Sequence, residues 1–102
     1  MDKQTLFKIQ EEAFTRCLDI CKKKNHDYAG DGDALKNFKL VEYLGICDAP
    51  TGVMVRLCDK FSRLANVYKG GAKVNETVDD TLDDIINYCN ILRATLIEKT
   101  KS

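Results

Sequence analysis

The strongest constraint on the fold is a helical repeat of apolar residues that runs through almost the whole chain. Leu6, Ile9, Ala13, Phe14, Cys17, Leu18, Ile20 and Cys21 recur three or four apart with Lys, Gln and Glu between them. That spacing marks an amphipathic helix. It returns in Leu35, Phe38, Val41 and Leu44, then in Met54, Leu57, Cys58, Phe61, Leu64, Ala65 and Tyr68, and last in Val78, Leu82, Ile85, Cys89, Leu92 and Leu96. Residues 51–57, TGVMVRL, alternate like a strand when taken alone, but helical spacing then continues for four turns.

The punctuation agrees with four helices. Asp2 stands where a first helix needs a cap, and Lys22, Lys23 and Lys24 stand where its dipole favours cations, so that helix is expected over about residues 2–25. Residues 26–38 crowd two glycines and three aspartates into seven positions and predict a loop leading into a second helix from 33 or 34 to 44, stopped by Gly45. Asp48-Ala49-Pro50 opens a third, with proline in the first turn where its missing N–H costs nothing, and Gly70-Gly71 end it. Thr77-Val78-Asp79-Asp80 resembles a capping box, with Asp in place of Glu, ahead of a fourth helix over about 78–99. The expected architecture is all-α, a single domain over 1–102 in which four main helices form a small bundle. Val55 and Val67 on the third helix and Ile91 and Ala94 on the fourth give the long helices a second partly apolar side, so completion by homo-oligomerisation is expected.

Sixteen Lys and Arg against sixteen Asp and Glu leave a formal net charge of zero, which argues against a nucleic-acid partner, since that binding needs a surplus of cations. No apolar run follows a basic stretch at the start, and no window approaches eighteen apolar residues, so neither secretion nor a membrane partner is expected. A cytoplasmic protein is expected. The five cysteines then read as reduced thiols, mostly small core residues.

Chemistry concentrates on the last two helices. At about 100° per residue, Asp80, Asp83, Asp84 and Asn87 fall in one sector roughly opposite the main apolar stripe, and Ile91 and Ala94 continue the same line. A face that turns apolar halfway along is expected to pack against another helix or subunit. Carboxylates so spaced suit a hard cation such as Mg²⁺; acids in a first helical turn are also favoured by the dipole alone. On the third helix Arg56, Asp59, Arg63 and Asn66 line the side away from the core stripe, with Lys60 at its margin, a set suited to holding phosphates or, more plainly, to forming surface pairs. Asp27, Asp31 and Asp33 do not make an EF-hand, because Ala29 and Phe38 occupy positions that need oxygen ligands. Tyr28, with Asn37 and Phe38 nearby, is a candidate to stack on a base. His26 has no Ser or Cys partner and is not assigned a catalytic role.

Three blocks, KNHDYAGDGDALKNF (24–38), VRLCDKFSRL (55–64) and VDDTLDDIINY (78–88), together resemble the phage-associated "nucleotide modification associated" domain family. That family is regarded as similar to the MazG-type and dimeric-dUTPase-type all-α nucleotide pyrophosphatases. The resemblance implies a nucleotide-handling protein of phage or prophage origin. In the MazG-type relatives an E-x-x-E pair on one helix and an E-x-x-D pair on the next bind Mg²⁺. Here Asp80 with Asp83 or Asp84 takes the place of the second pair, whereas the first is unmatched, because only Asp59 is offered beside Arg56 and Arg63.

Two functions are therefore expected ahead of a third, an interaction protein with no small-molecule ligand whose charges are only surface pairs. One is a Mg²⁺-dependent nucleoside triphosphate pyrophosphohydrolase with Asp59, Asp80, Asp83 and Asp84 on the metal and Arg56, Lys60 and Arg63 on phosphates; the alignment of the acids favours it. The other is a binder that sequesters a free or cyclic nucleotide without cleaving it, with Tyr28, Asn37, Arg56, Lys60, Arg63 and Asn87 as the nucleotide-binding set.

Overall fold

A computed structural model describes residues 1–30, 32–70 and 77–101. Four helices follow one another, α1 (Lys3–Ala29), α2 (Lys36–Tyr43), α3 (Ala49–Tyr68) and α4 (Val78–Lys101), and no strand occurs among the described residues.

Local chemistry starts and stops each helix much as the punctuation predicts. The Asp2 carboxylate accepts from the Thr5 N–H at 2.7 Å, and Asp48 accepts from the Thr51 N–H at 2.8 Å with Pro50 in the first turn. At α4 the capping box closes in both directions: the Asp80 N–H donates to Thr77 Oγ1 at 3.0 Å while Asp80 Oδ2 accepts from the Thr77 N–H at 3.1 Å. Gly30, Gly45 and Gly70 carry the positive φ angles that follow helix ends. Gly71, the second glycine expected at the end of α3, lies outside the described residues.

Two boundaries differ: α2 begins at Lys36, two or three residues later than expected, and α1 ends later. Helix α1 runs through His26, Asp27 and Tyr28 to Ala29, so four residues assigned to the loop form its last turn. The turn is held where Asn25 Nδ2 donates to the Ala34 carbonyl at 2.8 Å, tying the helix to the segment that enters α2.

Helices α3 and α4 form an antiparallel hairpin, with Arg56 beside Tyr88 and Lys60 beside Asp84. Helix α2 lies on α3, where Gly52 admits it: a Cβ at this position would stand 3.1 Å from Val41 Cγ2. Helix α1 crosses α4. The core is small, with Cys17, Ala49, Pro50, Val53 and Leu57 its buried apolar residues; Thr81 and Thr95 are also buried, their hydroxyls donating to the carbonyls of Thr77, just before α4, and Leu92. Residues 1–12 are all exposed. The radius of gyration, 15.4 Å, exceeds the roughly 13 Å usual for this length.

Facing is where the fold departs from the sequence pattern. On α4 the acidic sector turns inward: Asp83 is buried, and Asn87, Ile91 and Ala94 are half-buried. Half of the apolar stripe, Leu82, Cys89 and Leu96, is left exposed. The thiols follow: Cys17 is buried and Cys21 and Cys47 are half-buried, but Cys58 and Cys89, expected in the core, are exposed.

Candidate functional site

The end of α1, the start of α2, the middle of α3 and the middle of α4 meet around one carboxylate. Asp84 Oδ2 lies 2.8 Å from Lys60 Nζ, and Asp84 Oδ1 lies 3.1 Å from Lys24 Nζ. Partial burial alone would raise this carboxyl, but hydrogen bonds from Lys60 and Lys24 outweigh it and hold Asp84 below the usual carboxylate range. Burial works against the Lys24 ammonium as well, and the bond to Asp84 reverses it, so this lysine titrates above its ordinary value.

An aromatic pair adjoins the charges. Phe38 and Tyr88 meet edge to face with centroids 6.2 Å apart. The Arg56 guanidinium lies 5.4 Å from the Phe38 ring centre, and the Lys60 ammonium lies 5.4 Å from that of Tyr88. Arg56 Nη1 also donates to the Tyr88 hydroxyl at 3.5 Å, the long end of a hydrogen bond. Three cations thus surround one carboxylate and two rings. Chemically the cluster offers an anion two or three positive contacts and offers a planar group an aromatic edge.

The predicted residues separate into groups. Arg56, Lys60 and Asp84 come together here; Tyr28, exposed, sits one turn beyond Lys24, and Asn37, half-buried, precedes Phe38. Arg63 and Asp59 are exposed on α3, one turn from Lys60 and beside it respectively. Asn87 is committed elsewhere, its amide donating to the Cys17 carbonyl at 3.0 Å to join α4 to α1. Asp80 closes the capping box. Asp83 accepts from one edge of the Arg16 guanidinium with both oxygens, Nε donating to Oδ2 at 2.6 Å and Nη2 to Oδ1 at 3.0 Å. Asp33 accepts from the Leu35 N–H and pairs with Lys39, which also binds Glu98. Asp31 lies outside the described residues.

This distribution tests the proposed Mg²⁺ set. Asp80, Asp83 and Asp84 each serve a different partner, and the two ammonium groups on Asp84 repel a second cation. Among the described residues no three His, Cys, Asp or Glu side chains are grouped to hold a metal ion. The acids of one chain, as arranged, do not fit the ion.

No family model, curated protein or solved structure matches the chain.

Lys24, Phe38 and Tyr88 were not in the predicted set. Lys24 reads as a cation favoured by the helix dipole and Phe38 as part of the apolar repeat, while Tyr88 stands outside that repeat. The available signal was their position: Lys24 opens the first resembling block, Phe38 closes it, and Tyr88 closes the third. Two surface hollows lie elsewhere, one along α1 beside Lys8, Glu11, Arg16 and Lys23, the other between α2 and α4 beside Lys39, Asp48, Glu98 and Lys99. Ion pairs already occupy the second, Lys39 with Glu98 and Lys99 with Asp48. No described helix is long and apolar enough to cross a membrane.

Proposed function

We propose that this chain binds a nucleotide and retains it unchanged, as a small helical homo-oligomer. The observation that carries the reading is the meeting of Lys24, Arg56 and Lys60 beside the Phe38–Tyr88 pair, with Asp84 bound to both lysines. Phosphate oxygens engage Lys60, Lys24 and Arg56, and the base lies against the rings, with Tyr28 at the rim. The nucleotide-handling family that the three blocks resemble supports the same ligand class, and those blocks supply Lys24, Phe38, Arg56, Lys60, Asp84 and Tyr88.

Sequestration is preferred to Mg²⁺-dependent pyrophosphohydrolysis because Asp80, Asp83 and Asp84 have separate structural partners. The hydrolytic reading keeps one support, the placement of Asp84 among groups suited to phosphate. Incubation of the purified protein with nucleoside mono-, di- and triphosphates and cyclic nucleotides, with and without Mg²⁺, separates the two. Retention of an intact nucleotide that is recovered on denaturation is the expected result. Pyrophosphate release lost in Asp84→Asn establishes the hydrolase, and failure to retain or turn over any nucleotide removes both.

A further inference from the structure

We infer that the cluster reads a single phosphoryl group, so that its ligand is a nucleoside monophosphate and a longer phosphate chain adds no affinity. The inference rests on the nucleotide reading and fixes the ligand class within it.

The two ammonium groups converge on a space the size of one anion. Lys24 Nζ from α1 and Lys60 Nζ from α3 reach the two oxygens of the one Asp84 carboxylate, at 3.1 and 2.8 Å. A phosphoryl group offers paired oxygens at nearly the spacing of a carboxylate, so one such group engages both lysines once Asp84 gives way. A phosphate monoester carries about 1.5 to 2 negative charges at pH 7, more than the single charge of a cyclic phosphodiester. Paired cations therefore favour the monoester.

The rings set the direction of the ligand. In the antiparallel hairpin Lys60 meets Asp84 and Arg56 meets Tyr88. Arg56, Tyr88 and the Phe38 ring beside them thus lie one turn to one side of the lysine pair, about 6 Å at 1.5 Å per residue. Phe38 and Tyr88 are both half-buried, which leaves part of each ring for a base. One sugar bridges that gap. With the base on the rings and the phosphate on the lysines, a nucleoside monophosphate fills the cluster from end to end.

A second and third phosphate run away from the base, past Lys60 and Asp84 toward the start of α4. One turn on, the two helices offer opposite charges, Arg63 from α3 and Asp80 from α4, both exposed. The Asp80 carboxylate accepts from the Thr77 N–H, which orients it without removing its charge. Its repulsion of the added phosphates offsets the attraction of Arg63, and water and salt screen both. Seating the last phosphate of a longer chain on the lysines instead carries the base beyond the rings.

Calorimetric titration of the full chain tests this, with each common nucleoside supplied bare, as the mono-, di- and triphosphate and as the cyclic monophosphate, and with inorganic phosphate alone. One monophosphate is expected to bind at least about tenfold more tightly than its bare nucleoside, its cyclic form or inorganic phosphate, and at least as tightly as its di- and triphosphate. Asp80→Asn, which keeps an oxygen for the Thr77 N–H, is expected to leave the monophosphate unchanged and to make the triphosphate bind several-fold more tightly than it does to the unaltered protein. Affinity that climbs with each added phosphate in the unaltered protein, or a cyclic nucleotide bound more tightly than the monophosphate, keeps the nucleotide reading and overturns the single-phosphate class. A triphosphate unaffected by Asp80→Asn overturns the balance of charge assigned to the start of α4. Inorganic phosphate bound as tightly as any nucleotide, or no binding of any nucleotide, overturns the nucleotide reading itself. The ligand series uses the unaltered protein, so the class is decided even if the variant loses its fold.

Discussion

Arg16 and Asp83, sixty-seven residues apart in the chain, form a two-bond ion pair across the α1–α4 contact. The pair explains why the acidic side of α4 turns inward. A buried carboxylate is tolerated only with a partner of matching geometry, and the Asn87 amide bond to the Cys17 carbonyl one turn later extends the same polar seam. Cys17 lies within it, and burial raises its thiol pKa.

Asp83→Ala is expected to lower stability by about 1–2 kcal/mol, a figure held down because the Arg16 side chain is half in water. The hydrogen bonds from Arg16 keep the Asp83 carboxyl below its ordinary value despite burial. The folded state therefore binds this proton less readily than the unfolded state, so the stabilisation is complete above the unfolded carboxylate pKa of about 4 and is lost as pH falls through the lower folded value. Asp84 acts in the same direction. Chemical denaturation between pH 2 and 7 should show stability declining below about pH 4, less steeply in Asp83→Ala; equal slopes in the two proteins would show that the pair contributes nothing.

Charge removal at the cluster has a direction that separates its two readings. Asp84→Asn takes away the carboxylate that competes with an incoming phosphate for Lys24 and Lys60, and a retained nucleotide should bind several-fold more tightly. A metal-dependent hydrolase would instead lose turnover. Calorimetric titration alongside a pyrophosphate assay reads both quantities, and weaker binding with no turnover in either protein would contradict the assignment of Asp84 as the competing anion.

Lys60→Ala and Arg56→Ala should each weaken nucleotide binding by about tenfold or more, and moderate salt should weaken the wild-type interaction further, because both contacts are partly open to solvent. Tyr88→Phe keeps the ring and the edge-to-face contact with Phe38, so its effect should be smaller than that of Tyr88→Ala. Equal losses in the two tyrosine variants would assign the role to the hydroxyl.

Thr77→Ala removes one half of the capping box and should cost about 1 kcal/mol with fraying of the first turn of α4, while nucleotide affinity stays unchanged. Hydrogen exchange at residues 80–82 reports the fraying. A large fall in affinity would place the start of α4 in the binding site.

Helix number, most helix ends and the caps were determined by the sequence alone, because each rests on interactions no more than about four residues apart. Asp2, Asp48 and the Thr77–Asp80 box act within one turn, and the positive φ at Gly45 and Gly70 is a local property of glycine. Facing was decided only by the tertiary structure. An apolar stripe requires a cover but does not specify which surface supplies it, so Leu82, Cys89 and Leu96 read as core although α1 docks on the opposite side through Arg16 and Asp83. The same limit divided the acids: four carboxylates aligned on helical spacing look like one metal set, yet Asp80 serves its own helix end, Asp83 a guanidinium from α1, and Asp84 two ammonium groups from α1 and α3. Which cation reaches which carboxylate depends on contacts dozens of residues apart, and spacing along a single helix carries no record of them.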